Sequence, residues 1–483
     1  MHPAVHDVLL DALTASRIRF VHWKSNHHLP EALSGETDLD VLVAQEQIAL
    51  FRQTVIKVGA IRILSQGWAS YPGVEDWLIH DNNTGRFLHL HVHTQLVTGL
   101  KRVKHLILPW ADFMLSHKRS DPRNGWPVPQ AEVELLVLLI RIWAKMPPVR
   151  RLWRPRIPRH IFEELRWLEQ QVDARLFKEY ASALGLFPPA MPPYADESAV
   201  LASARALYFQ VRQHRRIAWP VALLRAAGQG AKIAATRFWL RHVAPVRYRK
   251  LVAGGGAIVA IIGSDGSGKS TQSQRLLNWL HYKLDAHLLY MGSGDGQTGL
   301  ANSLRKALSR MWKKRKIHNT ELKKTMPAGG AAPFSLKLWR LFDLLLLRRK
   351  LRLVRRARLM ANAGSIMLLD RYPQSRFPGI SDGPRQQHGY GFRWAARMEQ
   401  RLLAEAEQLG PDMVIKLRVS PDVASTRKPD HDANVIRRKC QIIDELSFPR
   451  SETLVLDADA PLESVTLAAQ AGLWRFISRH TQS

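Results

Sequence analysis

With 483 residues the chain is long enough for two or three domains. Its 46% hydrophobic content is ordinary for a globular protein, and its single cysteine, Cys440, excludes an intramolecular disulfide framework and a thiolate metal cluster. The 71 Lys and Arg against 41 Asp and Glu leave a formal charge of +30, which attracts polyanions but does not choose among nucleic acid, anionic lipid and phosphorylated substrates.

The longest apolar runs, "LLVLLI" (135–140) and "LLLL" (344–347), are stopped by arginine well short of the ~18 residues of a membrane span, and read as buried helix faces. The N-terminus lacks the basic start and long apolar core of a secretory signal, so the cytoplasm is the expected compartment. Element patterns divide the chain in three: an α+β stretch over 1–125, a helical stretch with a basic linker over 126–250, and an α/β domain with a parallel sheet over 251–483.

In the first stretch, "GETDLDVLV" (35–43) sets Asp38 and Asp40 two apart at the start of an apolar strand, where both face one way. Paired carboxylates on one face can bind magnesium jointly. Ahead of them lies "WKSN" (23–26). Beyond them, "FLHLHVHTQL" (87–96) alternates His89, His91 and His93 onto one strand face. These pieces resemble the nucleotidyltransferase fold, with "WKSN" where a G-S turn usually sits. The resemblance implies a third carboxylate on a later strand, and His91 stands at that place. Three readings stay open: a degenerate domain that only binds a nucleotide or polymer, an active one using a histidine or an unrecognised acid, and an Asp pair that merely ends a strand. Solvent-facing histidines are the plainest account of the second motif.

The helical stretch contains "MPPVRRLWRPRIPRH" (146–160), in which basic and aromatic residues interleave as they do on surfaces that meet nucleic acid or membrane. Its prolines forbid a long amphipathic helix, so a solvated connecting loop is the plainer reading. The segment 209–242 is more helical and amphipathic. It reads as helices packing on the first domain, with an anionic membrane surface as the alternative. "RHVAPVRYRKLVAGGGA" (241–257) reads as a linker.

"GSDGSGKS" (263–270) fits the G-x-x-x-x-G-K-[ST] phosphate loop, between a buried-strand run and a helical pattern. Glycines let the backbone turn its N–H groups around phosphate oxygens, and the following helix adds its positive end. Gly263, Ser264, Asp265, Gly266, Ser267, Gly268, Lys269, Ser270 and Thr271 are therefore expected to hold ATP. Lys269 is expected to reach the terminal phosphates and Ser270 to hold Mg2+. "SIMLLD" (365–370) is a strand ending in Asp370, which can orient magnesium, and Arg371 beside it suits an acceptor phosphate.

"DGSGKSTQ" resembles the thymidylate kinase family of P-loop kinases. "RRKLRLVRRARLMANAGSIMLLDRYPQS" (348–375), "PDMVIKLRVSPDVASTRK" (411–428) and "VLDADAPLESVTLAAQ" (455–470) follow in that family's order. The resemblance covers roughly 255–483. It implies an ATP- and Mg2+-dependent kinase whose acceptor meets Asp265, Arg349, Arg371 and Tyr372. Gly266 places the chain with members whose catalytic cations come from a lid. Here that lid is "RKPDHDANVIRRK" (427–439), with Arg427, Arg437 and Arg438. The family's R-E-P-G-G-T segment is replaced by "GSGDGQTG" (292–299) and a basic insertion (304–324). The donor half thus looks intact and the acceptor half remodelled.

A nucleotide or other phosphorylated acceptor is the expected partner, with nucleic acid or an anionic membrane as alternatives and a homodimer as an assembly the sequence allows. Nucleotidyl transfer, or ATP switching of a non-catalytic basic surface, are the competing activities.

Overall fold

The computed structural model describes residues 3–65, 70–101, 103–153, 155–187, 196–242, 249–291, 334–378, 383–384 and 393–481. The fold is mixed α/β, and the chain forms two compact units that divide between Ala253 and Gly254.

In the first unit six strands form one sheet in the order β1 (Phe20–His22), β2 (Leu39–Val43), β5 (Phe87–His93), β4 (Val74–His80), β3 (Ile61–Leu64) and β10 (Leu251–Val252). β2 and β5 are parallel and the other neighbours antiparallel. Helices α1 (Val5–Ala15), α2 (Leu29–Leu33) and α3 (Ile48–Lys57) bury Leu9, Leu13, Leu29, Phe51 and Val55 with Leu39, Val41, Leu88 and Leu90 of the sheet. Two short antiparallel pairs, β6 (Leu96–Thr98) with β7 (Leu106–Leu108) and β8 (Lys118–Ser120) with β9 (Pro127–Pro129), flank α4 (Ala111–Ser116).

The helical stretch belongs to this same unit. Its centre is α5 (Ala131–Lys145), apolar around most of its circumference and therefore enclosed rather than half-exposed. Around it pack α7 (Arg159–Glu169), α8 (Ala174–Ala183) and α9 (Glu197–Gln210), contributing Leu165, Phe177, Val200 and Leu207 to one core. α6 (Pro148–Trp153) breaks up the Pro-rich segment, and α10 (Trp219–His242) sets Ala222 against Leu100 and Val103. Leu251 and Val252, within the segment read as a linker, pair with Leu64 and Ile63 and so close the first sheet.

In the second unit five strands are all parallel, in the order β12 (Ala286–Tyr290), β13 (Ile366–Asp370), β11 (Ala257–Gly263), β14 (Met413–Arg418), β15 (Glu452–Asp457). A parallel sheet needs covered faces, which explains the near-continuous apolar runs of β11, β13 and β14. The helices are α11 (Lys269–Leu280), α12 (Phe334–Asn362), α13 (Arg393–Leu409), α14 (Pro421–Arg427), α15 (Ala433–Glu445) and α16 (Leu462–His480). Val354, Ala357 and Ala361 of α12 pack on Ile258, Ala260 and Ile262 of β11. Among the described residues no helix is long and apolar enough to cross a membrane. The segments 292–299 and 304–324 lie outside the described residues.

Candidate functional site

Chain order and strand order disagree around β11: β12 and β13 lie to one side of it, β14 and β15 to the other. In open parallel sheets a ligand crevice forms at such a reversal, beyond the strands' carboxyl ends. β11 ends at Gly263 and α11 begins at Lys269, so the phosphate loop sits in that place. Gly266 (φ +85°) and Gly268 (φ +81°) are both left-handed, the conformation that side chains resist. A Cβ on Gly266 would stand 2.8 Å from the Ala424 carbonyl oxygen, so α14 packs directly on the loop.

Ser264 organises the loop interior. Its carbonyl accepts from Ser267 Oγ at 2.9 Å and Lys269 Nζ at 2.6 Å. Lys269 is 9% exposed, and burial, followed by the charge of Arg371, pushes its pKa down to about 8. Ser270 lies in the first turn of α11, and its Oγ donates to Asp370 Oδ2 at 3.4 Å. A serine hydroxyl beside a carboxylate is an all-oxygen pair that fits a hard cation such as Mg2+. Thr271 follows on an exposed helix face.

Register explains how Asp370 arrives: it pairs with Ile261, so β13 delivers its carboxylate beside the loop. Arg371 then leaves the strand with φ +75°, and its N–H donates to the Ile261 carbonyl at 3.1 Å. That turn aims its guanidinium toward Asp265 Oδ1, 3.9 Å away. Asp265 also meets Lys439 Nζ in a short ion pair and lies 3.8 Å from His431 Nδ1. Burial opposes ionisation of Asp265, but the bond and charge of Lys439 hold its pKa below the usual carboxylate range. A cavity of about 40 Å³ lies here, walled by Gly263, Asp265, Arg371, Tyr372, Lys439 and Ile443 among others. Tyr372 faces it but is buried, and its hydroxyl donates to the Ala406 carbonyl at 2.7 Å.

The proposed lid segment is largely helical. Asp432 caps α15 by accepting from Asn434 N at 2.8 Å and Val435 N at 3.3 Å. Ile436, Cys440 and Ile443 form the buried face. Lys439 flanks that face and reaches the loop, whereas Arg437 and Arg438 are exposed. Arg427, at the end of α14, donates to the carbonyls of Ala458 at 2.9 Å and Gly266 at 3.4 Å. Arg349 is exposed on α12. The structure thus gathers Asp265, Lys269, Ser270, Asp370, Arg371 and Arg427 around one loop. It adds Lys439, His431 and Cys440, whose Sγ lies 3.3 Å from Ser264 Oγ. Helical spacing from Ile436 and Ile443 is the signal that could have favoured Lys439 over its two arginine neighbours.

The first unit brings its own motif together. Asp40 pairs with His91 across β2 and β5, and His91 with Asp76 across β5 and β4. His91 therefore stands amid three carboxylates: Asp76 at 3.0 Å, Asp38 at 3.6 Å and Asp40 at 3.6 Å. Burial lowers its pKa, yet the bonds and charges of Asp40 and Asp76 raise it to about 9. The solvent-facing account of the histidines fails for two of them. His89 is buried between Asp38 (2.7 Å) and Asp76 (3.1 Å), and His93 is buried 3.3 Å from Asp40. Lys24, from the "WKSN" turn where Ser25 adopts φ +58°, reaches Asp40 at 2.6 Å, and Lys250 reaches Asp76 at 2.8 Å. Asp76 does not stand out in the sequence, because an adjacent Glu75–Asp76 pair at the start of a strand looks like its solvated end.

Asp38 and Asp40 are therefore met by imidazoles and, at Asp40, an ammonium. Those nitrogen groups do not match the oxygen cage that magnesium takes.

No family model matches the chain. Over 219 residues, 44% of this chain and 85% of its relative, it is 27% identical to a protein of Escherichia coli strain K12 described as "Uncharacterized ATP-binding protein YghR". A second, described as "Uncharacterized ATP-binding protein YghS" from the same strain, is 27% identical over 223 residues, 44% of this chain and 90% of its own. The class these similarities name is that of ATP-binding proteins.

Proposed function

We propose that the second unit binds ATP through residues 263–271 and transfers its γ-phosphate to a phosphorylated acceptor, a nucleoside monophosphate or a related anion. The observation that carries this reading is the convergence of Lys269, Ser270, Asp370, Arg371 and Asp265 at the carboxyl ends of β11 and β13. The printed descriptions of YghR and YghS support the ATP half.

Phosphoryl transfer needs placement and positive charge more than covalent chemistry from the protein. Lys269 would leave the Ser264 carbonyl for the β- and γ-phosphates, a short move for an amine already beneath the loop. Arg427 lies over the loop backbone at Gly266, where a guanidinium can meet charge that develops on the migrating group. Arg371 can take the acceptor's phosphate in a forked contact, while Asp265 accepts from an acceptor hydroxyl. Ser270 and Asp370 would hold Mg2+, which when bound neutralises the phosphate oxygens. Tyr372 packs the wall of the acceptor cavity, its hydroxyl being already engaged.

The test is ADP release from ATP and Mg2+ against a panel of nucleoside monophosphates and sugar phosphates. Acceptor-dependent turnover that Lys269→Ala abolishes is the expected result. ATP binding with no acceptor effect across the panel would overturn the phosphotransferase reading.

A further inference from the structure

A second cavity, of about 200 Å³, opens in the first unit between α5 and the segment running through α6 to α7. Its basic wall is Arg141, Lys145, Arg150, Arg156 and His160, and no carboxylate is among the described residues that line it. Its other wall is apolar, with Leu138, Ile142, Met146, Pro147, Pro158 and Ile161. Basic groups gathered on one wall repel one another, and an anion between them relieves that repulsion. Arg141 is only 5% exposed, and its Nε finds no hydrogen-bond partner among the described residues. A buried donor left without a partner favours an acceptor that the described residues do not supply. The amine of Lys145 feels Arg141 first, then burial, then Lys24 and Lys104, and against a smaller opposing pull from Asp40 its pKa falls to about 6.

The wall is fixed in place. The Arg151 guanidinium donates to the carbonyls of Trp143 (2.6 Å) and Met146 (3.0 Å), tying α6 to the end of α5. At the other end Ile157 N donates to Glu197 Oε1 at 2.5 Å. The Pro-rich segment, though largely exposed, is thus tied to the neighbouring helices at two points. The nearest acid on the same face of α5, Glu134, is taken by Asn26, whose N and Nδ2 donate to it at 3.0 and 2.8 Å.

We propose that this cavity binds an amphiphilic phosphate ester, its basic wall taking the phosphoryl or diphosphoryl group and the apolar wall an attached hydrocarbon group. The proposal stands apart from the reading of the phosphate loop, since every residue in it lies in the first unit. The source can be a soluble ester or a lipid headgroup, and both present the same chemistry.

Calorimetric titration of the full chain with geranyl diphosphate, inorganic pyrophosphate and geraniol tests it, with phosphatidate vesicles as a separate arm. Geranyl diphosphate should bind at least tenfold more tightly than either half alone. Arg150→Gln with Lys145→Gln, both at exposed positions, should weaken it at least tenfold, and Arg156→Gln serves as an independent variant. Lys269→Ala should leave it unchanged. Vesicle capture that depends on the same cations, without binding of the soluble ester, would sustain the site and assign it to a lipid headgroup. Absence of binding in both arms, binding indifferent to all three cations, or equal loss with Lys269→Ala would overturn it.

Discussion

Two glycines of the phosphate loop separate backbone strain from packing. Both Gly266 and Gly268 are left-handed, so alanine at either costs about 1–2 kcal/mol in conformation alone. A Cβ at Gly268 meets nothing within 4 Å. At Gly266 it meets the Ala424 carbonyl oxygen at 2.8 Å, and α14 must shift at a further cost of about 1–3 kcal/mol. For a unit of this size each kcal/mol lowers Tm by about 2–4 °C. Gly268→Ala should therefore lower the second unit's Tm by about 2–8 °C, and Gly266→Ala by about 4–20 °C. Because α14 carries Arg427, Gly266→Ala should also lose more ATP affinity than Gly268→Ala. Thermal scans and ATP titration of both variants read this directly. Equal effects of the two substitutions would show that α14 does not pack on the loop.

Other consequences can be measured alongside. Asp265→Asn leaves Lys439 and Arg371 without their shared carboxylate, and should raise the KM for acceptor about tenfold with little change in ATP affinity, in steady-state kinetics. Asp76→Asn strips His91 and Lys250 of a half-buried counter-charge, and should destabilise the first unit by about 3–5 kcal/mol in denaturant melts. Burial and the charge of Glu164 raise the Glu134 pKa to about 7. Between about pH 4.5 and 7 the folded chain then keeps a proton that the unfolded chain has released, so stability falls as pH rises, by on the order of 2 kcal/mol. Glu134→Gln should flatten that window when unfolding is followed at pH 5 and 7.5.

The inner strands β11, β13 and β14 were legible because each is an apolar run, and the loop at 263–270 because its glycines and lysine leave few other uses. Asp370 followed from its place at a strand end. The lid segment was harder to read. A charged run such as 427–439 looks like a loop, and only the buried Ile436, Cys440 and Ile443 reveal a helix that presents Lys439 inward. The first unit hid more. Asp76 joins Asp38 and Asp40 through a β2–β5–β4 register whose β2–β5 pairing brings together strands far apart in sequence. The same holds for Leu251 and Val252, which look like linker until they are seen completing a sheet begun at residue 20. Likewise the basic, Pro-rich segment acquires meaning only when α5 supplies the opposite wall of its cavity.

The most direct test of the central proposal is the rate of ADP release with Mg2+, ATP and each of the nucleoside monophosphates, in the full chain and in Lys269→Ala. Acceptor-stimulated turnover at least a hundredfold above the Lys269→Ala rate is predicted. Turnover that no phosphorylated acceptor raises, or that survives Lys269→Ala undiminished, would contradict a phosphotransferase built on this loop.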